Sequence, residues 1–105
     1  MTKICKMNPK VKHKWLTALR SGKYEQGVGA LRDVAYGGST PLFCCLGVLC
    51  KVADIRPHRW NQGGLGKKSL DLVGFDKTVQ DKLINFNDEA GWSFKTIAKW
   101  VQKHL

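Results

Sequence analysis

Long hydrophobic runs are absent from this sequence of 105 residues. The longest one extends from Leu42 to Cys50 and has nine residues, whereas a membrane-spanning helix requires roughly 18. Lysines also interrupt the apolar residues around Ile4, so the first residues lack the pattern of a secretory signal peptide. These absences predict no membrane partner and a protein that stays in the compartment where it is made.

Acidic residues are scarce: eight Asp and Glu stand against 18 Lys and Arg, which gives a formal net charge of +10. The imbalance is strongest in residues 1–23, which contain seven positive residues and no acid. Such a cluster attracts polyanions, so we expect nucleic acid, a nucleotide or an acidic protein as the partner. The alternative is a solvated basic surface that aids solubility.

Catalytic and metal-binding motifs are missing as well. Structural zinc needs paired ligand spacings, whereas Cys44 and Cys45 are adjacent and Cys50 follows them in the same apolar run. On one helix these thiols would point in different directions. No nucleophile elbow and no zinc-protease motif occurs. We predict no metal, no cofactor and no catalytic residue, and we expect these cysteines and Cys5 to be reduced and mostly buried.

A chain of this length is expected to form one domain over residues 1–105, because two separate cores would each be marginally stable. An apolar content of 43% is sufficient for a real core. The pattern predicts a mainly α fold, a single small four-helix domain with a glycine-rich loop or a short strand pair, so that an α+β fold is also possible. Residues 1–7 are expected to be flexible.

Helix caps and apolar periodicity locate the predicted elements. Asn8 can cap the start of a first helix and Gly22 can end it. The predicted helices are Pro9 to about Ser21, Leu42–Ala53, Asp76 to about Asp88, and a last one that follows the cap Ser93. The intervening segments are predicted as a loop or short strand over Tyr24–Asp33 and as a long basic loop over 54–75, with a short extended pair near Leu70–Val73.

Basic side chains near glycines or an aromatic ring supply the candidate binding residues. Those of the first helix would contact phosphates, and a guanidinium beside an indole could contact a phosphate while the indole stacks on a base. The glycine loop at 63–66 could cradle a phosphate, although it does not match a P-loop. Each candidate also has a purely structural explanation. The basic residues of the first helix could form a solvated stripe, the indole could anchor its loop to the core, and the glycine loop could be an ordinary surface loop. The predicted residues are Lys10, Lys14, Arg20, Arg32, Arg56, Arg59, Trp60, Lys67 and Lys68.

Several strings resemble small uncharacterised proteins of tailed-phage and prophage genomes. The most distinctive is Phe43-Cys-Cys-Leu-Gly-Val-Leu-Cys50. The resemblance covers most of the chain outside 54–75, including Lys14 to Tyr24, Gln26 to Arg32 and parts of Leu83 to Ala98. It implies a phage accessory protein in the bacterial host cytoplasm, and it implies no catalytic residue.

The expected function is that of a small basic phage accessory protein that binds nucleic acid or a nucleotide without catalysis. One alternative is a protein-binding effector that inhibits a host enzyme or defence component, which an exposed apolar patch with Trp60 or Trp100 would favour. A second alternative is an enzyme that pairs Cys44 or Cys45 with a histidine, which would require a reactive thiol.

Overall fold

The computed structural model describes residues 7–34, 41–57 and 59–105, which form five α-helices, one π-helical segment and a three-stranded sheet. The mainly α prediction is confirmed, with a small β component, but the number of helices is five rather than four. In chain order the elements are α1 Pro9–Ser21, β1 Glu25–Gln26, β2 Arg32–Val34, β3 Pro41–Phe43, α2 Cys45–Ala53, α3 Lys67–Val73, α4 Lys77–Ile84, the π segment Asn85–Glu89 and α5 Phe94–His104.

Helix α1 begins and ends where its capping residues predict. The side chain of Asn8 accepts hydrogen bonds from the backbone N–H groups of Lys10 and Val11. Pro9 occupies the first turn, where its missing N–H has no cost. Gly22 ends the helix in the left-handed conformation at φ 78°. The buried side of α1 consists of Trp15, Leu16, Ala18 and Leu19.

The apolar run after residue 40 divides into a strand and a helix. Prediction placed one helix over Leu42–Ala53, but Pro41–Phe43 forms β3 and α2 begins only at Cys45. Strand β3 is central, because it pairs in parallel with β1 and in antiparallel fashion with β2. These pairings satisfy the backbone groups of Leu42 and Phe43 and hold them in extended geometry. The segment Tyr24–Asp33, predicted as a loop or a short strand, contains β1 and the first two residues of β2, with non-regular structure between them.

Helix α2 is the centre of the core, as its almost entirely apolar sequence predicts. Every residue from Cys45 to Cys50 is buried. The indole Nε1 of Trp15 donates a hydrogen bond of 2.9 Å to the carbonyl of Cys45, which fixes α1 on the start of α2. The ring of Trp15 also stacks on Phe75 at a centroid distance of 6.1 Å.

The prediction of a long loop over 54–75 is wrong in its second half, which contains α3 instead of an extended pair. Leu70 and Val73 point into the core from this helix, and Gly74 ends it in the left-handed conformation at φ 97°. The preceding segment is held by Gln80 of α4, whose Oε1 accepts a 2.6 Å hydrogen bond from the N–H of Leu65. The glycines of this segment favoured a loop, because glycine has little intrinsic preference for a helix. The helix forms because tertiary contacts stabilise it.

The C-terminal third follows its predicted caps. Asp76 accepts a hydrogen bond from the N–H of Val79 at the start of α4, and Ser93 accepts one from the N–H of Thr96 at the start of α5. The end of the third predicted helix, Asp76 to about Asp88, widens into the π segment. Met7 is buried and its N–H donates to the carbonyl of Leu105, whereas residues 1–6 lie outside the described part of the chain. Among the described residues, no helix is long and apolar enough to cross a membrane.

Candidate anion-binding surface

Helices α1 and α5 pack against each other and carry only positive charge. Together they contain seven Lys and Arg and no Asp or Glu. Gln102 of α5 joins them, because its backbone carbonyl accepts from Nζ of Lys12 at 3.3 Å and its side-chain Oε1 accepts from Arg20. We call the exposed cations of these two helices the basic helix pair; they are Lys10, Lys14, Arg20, Lys95, Lys99 and Lys103.

The predicted residues of α1 divide between two sides of the helix. Lys10 and Lys14 are one turn apart and share the exposed stripe. Arg20 lies roughly 120° around the axis from Lys14, since each residue advances by about 100°. It reaches α5 through Gln102. The structure therefore places Lys10 and Lys14 together and puts Arg20 at the junction of the two helices.

The lysines of α5 were not among the predicted binding residues. Lys95, Lys99 and Lys103 follow one another at intervals of four residues, and all three are exposed. This spacing aligns them along one side of α5. The sequence did contain the signal, a helix with three regularly spaced lysines and no acid, but only the contact between the helices makes α5 a neighbour of α1.

A groove of about 390 Å³ borders the exposed stripe of α1, and we call it the α1 groove. Most of its lining surface is apolar, and side chains with an amino group, an imidazole or a hydroxyl supply the polar part. Ser21 organises its end, because its Oγ donates to the carbonyl of Ala18 at 2.7 Å and accepts from the N–H of Lys23 at 3.1 Å. The lining residues are His13, Lys14, Thr17, Ala18, Ser21, Lys23, Tyr24 and Val52.

The indole of Trp60 contacts the guanidinium of Arg32, whereas the segment 56–60 predicted Arg56 or Arg59 beside it. The guanidinium of Arg32 lies 5.0 Å from the ring centroid of Trp60, and the Arg32 N–H donates to the Trp60 carbonyl at 2.9 Å. Trp60 is half-buried and meets the ring of Phe43 edge to face at 6.5 Å. These contacts attach the loop between α2 and α3, which contains Trp60, to the sheet. Arg56 and Arg59 are exposed on the same loop.

The lysines after the glycine loop occupy the first turn of α3. Lys67 forms an exposed ion pair with Asp71 at 3.3 Å, while Lys68 is exposed beside it. In the loop itself the N–H of Leu65 already donates to Gln80. Lys67 and Lys68 therefore remain at the surface, with one of the two charges offset by a carboxylate.

The described cysteines lie in the core as reduced thiols. Burial raises the pKa of Cys44 to about 11 and that of Cys50 to about 12, and it raises the pKa of Cys45 well above its usual value. Such thiols remain protonated at neutral pH and are weak nucleophiles. In the described part of the chain no group of His, Cys, Asp and Glu could hold a metal ion. Cys5 and His58 lie outside the described residues.

Comparison with known proteins finds one family. The model of a domain of unknown function, DUF8296, matches residues 7–72, which is well over half of the chain. The match covers α1, the sheet, α2 and most of α3, and it ends before α4 and α5. No curated protein and no solved structure matches the chain. The chain belongs to the DUF8296 family.

Proposed function

We propose that this chain binds nucleic acid through the basic helix pair and performs no chemistry on it. The observation that carries the proposal is the packing of two helices that contain seven Lys and Arg and no acid. Two neighbouring helices of one charge sign create a concentrated positive field, which a polyanion neutralises more effectively than small counterions do. The phage accessory setting implied by the sequence resemblance is part of this proposal.

The distribution of acids supports the choice of these helices. Asp71 forms an ion pair with Lys67 on α3, and Asp81 forms one with Lys77 on α4 at 2.9 Å. These carboxylates offset lysines of their own helices, so the uncompensated positive charge is concentrated on α1 and α5. A helix of 13 residues is about 20 Å long, at 1.5 Å per residue. This length is sufficient to face several consecutive phosphates.

The mechanism follows from counterion release. Each lysine or arginine that neutralises a phosphate displaces a condensed cation, so the affinity falls as the salt concentration rises. The contacts are made to phosphates and do not read base identity. In the α1 groove the hydroxyls of Thr17 and Ser21 already donate to the carbonyls of His13 and Ala18, so Lys14 supplies the positive charge that a phosphate oxygen would contact there.

The protein-binding alternative depended on an exposed apolar patch at Trp60 or Trp100. Both rings are half-buried in aromatic contacts. The exposed large apolar side chains among the described residues are Val28 and Leu72, and isolated ones are normal on soluble proteins. An effector that inhibits a host enzyme therefore stays a prediction without a specific surface.

The test is the affinity for a fluorescently labelled oligonucleotide over a series of salt concentrations. The variant K10Q/K14Q removes two exposed charges from the basic helix pair. We expect its binding to weaken about 10-fold near physiological salt and the slope of log affinity against log salt to decrease by about 2, since each phosphate contact contributes nearly one unit.

The matched control is K51Q/K77Q, which removes the same charge from α2 and α4. Both control residues are exposed. The control also removes the exposed ion pair of Lys77 with Asp81, but such pairs contribute at most about 1 kcal/mol, so neither variant should prevent folding. We expect the control to retain nearly the original affinity. Equal losses in both variants would show that only the net charge matters, and the absence of salt-dependent binding by the unmodified protein would disprove the proposal.

A further inference from the structure

A second groove, of about 470 Å³, lies on the side of α5 that faces the π segment. Its volume is within the roughly 300 to 1,000 Å³ typical of sites for small molecules. Two aromatic rings form part of its lining and polar side chains form the rest. We call it the tryptophan groove, and it is lined by Thr78, Asp81, Lys82, Asn85, Phe86 and Trp100.

The aromatic rings of this groove are held in place by one another. Phe86 stacks on Trp92 at a centroid distance of 4.0 Å with an interplanar angle of 10°. Trp100 meets Phe86 edge to face at 5.1 Å, and the ring of His104 lies 4.7 Å from that of Trp100. Phe86 belongs to the π segment, and such wide turns are frequent at functional sites. The rings therefore form a preorganised platform.

The polar lining suits a neutral planar heterocycle that is attached to an anion. The amide of Asn85 can both donate and accept hydrogen bonds, and the hydroxyl of Thr78 can do the same. The carboxylate of Asp81 is already paired with Lys77 at 2.9 Å. Lys82 adds a positive charge to the lining. A nucleobase with its phosphate has this combination of properties.

The groove is adjacent to the lysines of α5. Trp100 directly follows Lys99, and Lys103 lies three residues later, which is about one helical turn. A strand that contacts these lysines through its phosphates would bring a base to the indole. In a duplex the bases are stacked and paired inside the helix, so only an unpaired base can enter the groove and stack on an aromatic ring.

We propose that the tryptophan groove takes one unpaired base, so that the chain prefers single-stranded nucleic acid to duplex. This inference rests on the proposed function, because the lysines of α5 supply the phosphate contacts. It adds a source of selectivity that charge alone does not provide. Stacking tolerates any base, so the expected preference is for strand state rather than for sequence.

The experiment compares binding of a labelled single-stranded oligonucleotide and of its duplex at one salt concentration. We expect the unmodified protein to bind the single strand more tightly. Trp100→Ala should weaken single-strand binding about 5- to 30-fold, as loss of a stacked base does, and should leave duplex binding nearly unchanged. Trp100→Phe keeps a ring and should recover most of the lost affinity.

Two further variants keep the test independent of folding. K82Q/N85A changes only exposed side chains of the groove and should weaken single-strand binding more than duplex binding. Leu72→Ala removes an exposed apolar side chain of α3 and should have no effect. Thermal unfolding of each variant confirms that it is folded.

The outcomes separate this inference from the proposed function. Equal affinity for both nucleic acids, with no loss in Trp100→Ala or K82Q/N85A and a loss in K10Q/K14Q, would overturn the groove while retaining the basic helix pair. The absence of salt-dependent binding to either nucleic acid would overturn both. A smaller loss in Trp100→Ala than in Leu72→Ala would also contradict the groove.

Discussion

The carbonyl oxygen of Leu31 lies only 1.8 Å from the position that a Cβ atom of Gly47 would occupy. Helix α2 therefore contacts the backbone immediately before β2 at a distance that no side chain permits. The same carbonyl accepts a hydrogen bond from the N–H of Cys44 at 3.4 Å. A glycine in the middle of a helix costs about 1 kcal/mol relative to alanine, and this close approach accounts for its presence.

Gly47→Ala should therefore destabilise the protein strongly, against the usual helix preference for alanine. We expect the free energy of unfolding to fall by about 3 kcal/mol or more, because the helix or the sheet must shift to admit the methyl group. Chemical denaturation measures this change. Gly63→Ala is the control, since the nearest atom to its added Cβ would be the carbonyl oxygen of Gly29 at 3.9 Å. A similar loss of stability in that variant would contradict the explanation.

Asn87 should be the most sensitive polar residue of the core. Its Oδ1 accepts from the N–H of Cys45 and from Nε2 of Gln26, and its Nδ2 donates to the carbonyl of Gly27. Asn87→Ala leaves buried groups without partners, so we expect a loss of about 2 to 4 kcal/mol in chemical denaturation. The exposed neighbour provides the control: Asn85→Ala should change stability by less than about 0.5 kcal/mol.

The buried thiols should make stability fall at alkaline pH. Burial raises the pKa of Cys44 from 9.0 to about 11. Because the unfolded thiol ionises first, its contribution is fully present below about pH 9 and is lost as the pH rises towards 11. A shift of this size corresponds to about 3 kcal/mol.

Denaturation curves of the unmodified protein and of Cys44→Ala, recorded from pH 7 to pH 11, test this expectation. Lysine and tyrosine titrations are common to both proteins, so the difference between the two curves isolates the thiol. The decline should be less steep in Cys44→Ala. Parallel curves would show that Cys44 ionises equally in the folded and in the unfolded protein. Rapid alkylation of Cys44 or Cys45 in the folded protein at pH 7.5 would favour the enzyme alternative.

Trp60 should stabilise its loop. Trp60→Leu removes the contacts with Arg32 and Phe43, and we expect a loss of about 1 to 2 kcal/mol together with faster proteolysis within the loop. Limited proteolysis and chemical denaturation measure both effects. If the variant instead keeps its stability and loses oligonucleotide affinity as strongly as Trp100→Ala, the indole serves a ligand, as the sequence-based hypothesis states.

The elements that were predicted correctly have signals within their own residues. Asn8 caps α1 and Ser93 caps α5 through hydrogen bonds with backbone groups a few residues away, and Gly22 ends α1 in the left-handed conformation. Strand β3 was missed because Leu42 and Phe43 continue an apolar run that also suits a helix. Their extended conformation depends on β1 and β2, which are distant in the sequence.

In the candidate site, too, some features follow from local sequence and others from contacts between distant segments. Lys10 and Lys14 share a stripe by helical periodicity alone, so sequence reasoning placed them together. Lys99 and Lys103 lie on a helix next to theirs only because α5 packs on α1. The edge-to-face contact of Phe86 with Trp100 likewise involves the π segment, which no local sequence pattern predicted.

The amino-acid sequence by itself determined the excess of positive charge, the helix caps and the apolar faces, because these properties depend on residues close along the chain. Tertiary structure decided which helices are neighbours, which lysines lie on neighbouring helices and which rings line a groove. These relationships follow from the burial of apolar surface and the pairing of backbone groups between distant segments, and the free energies of both depend on the whole fold.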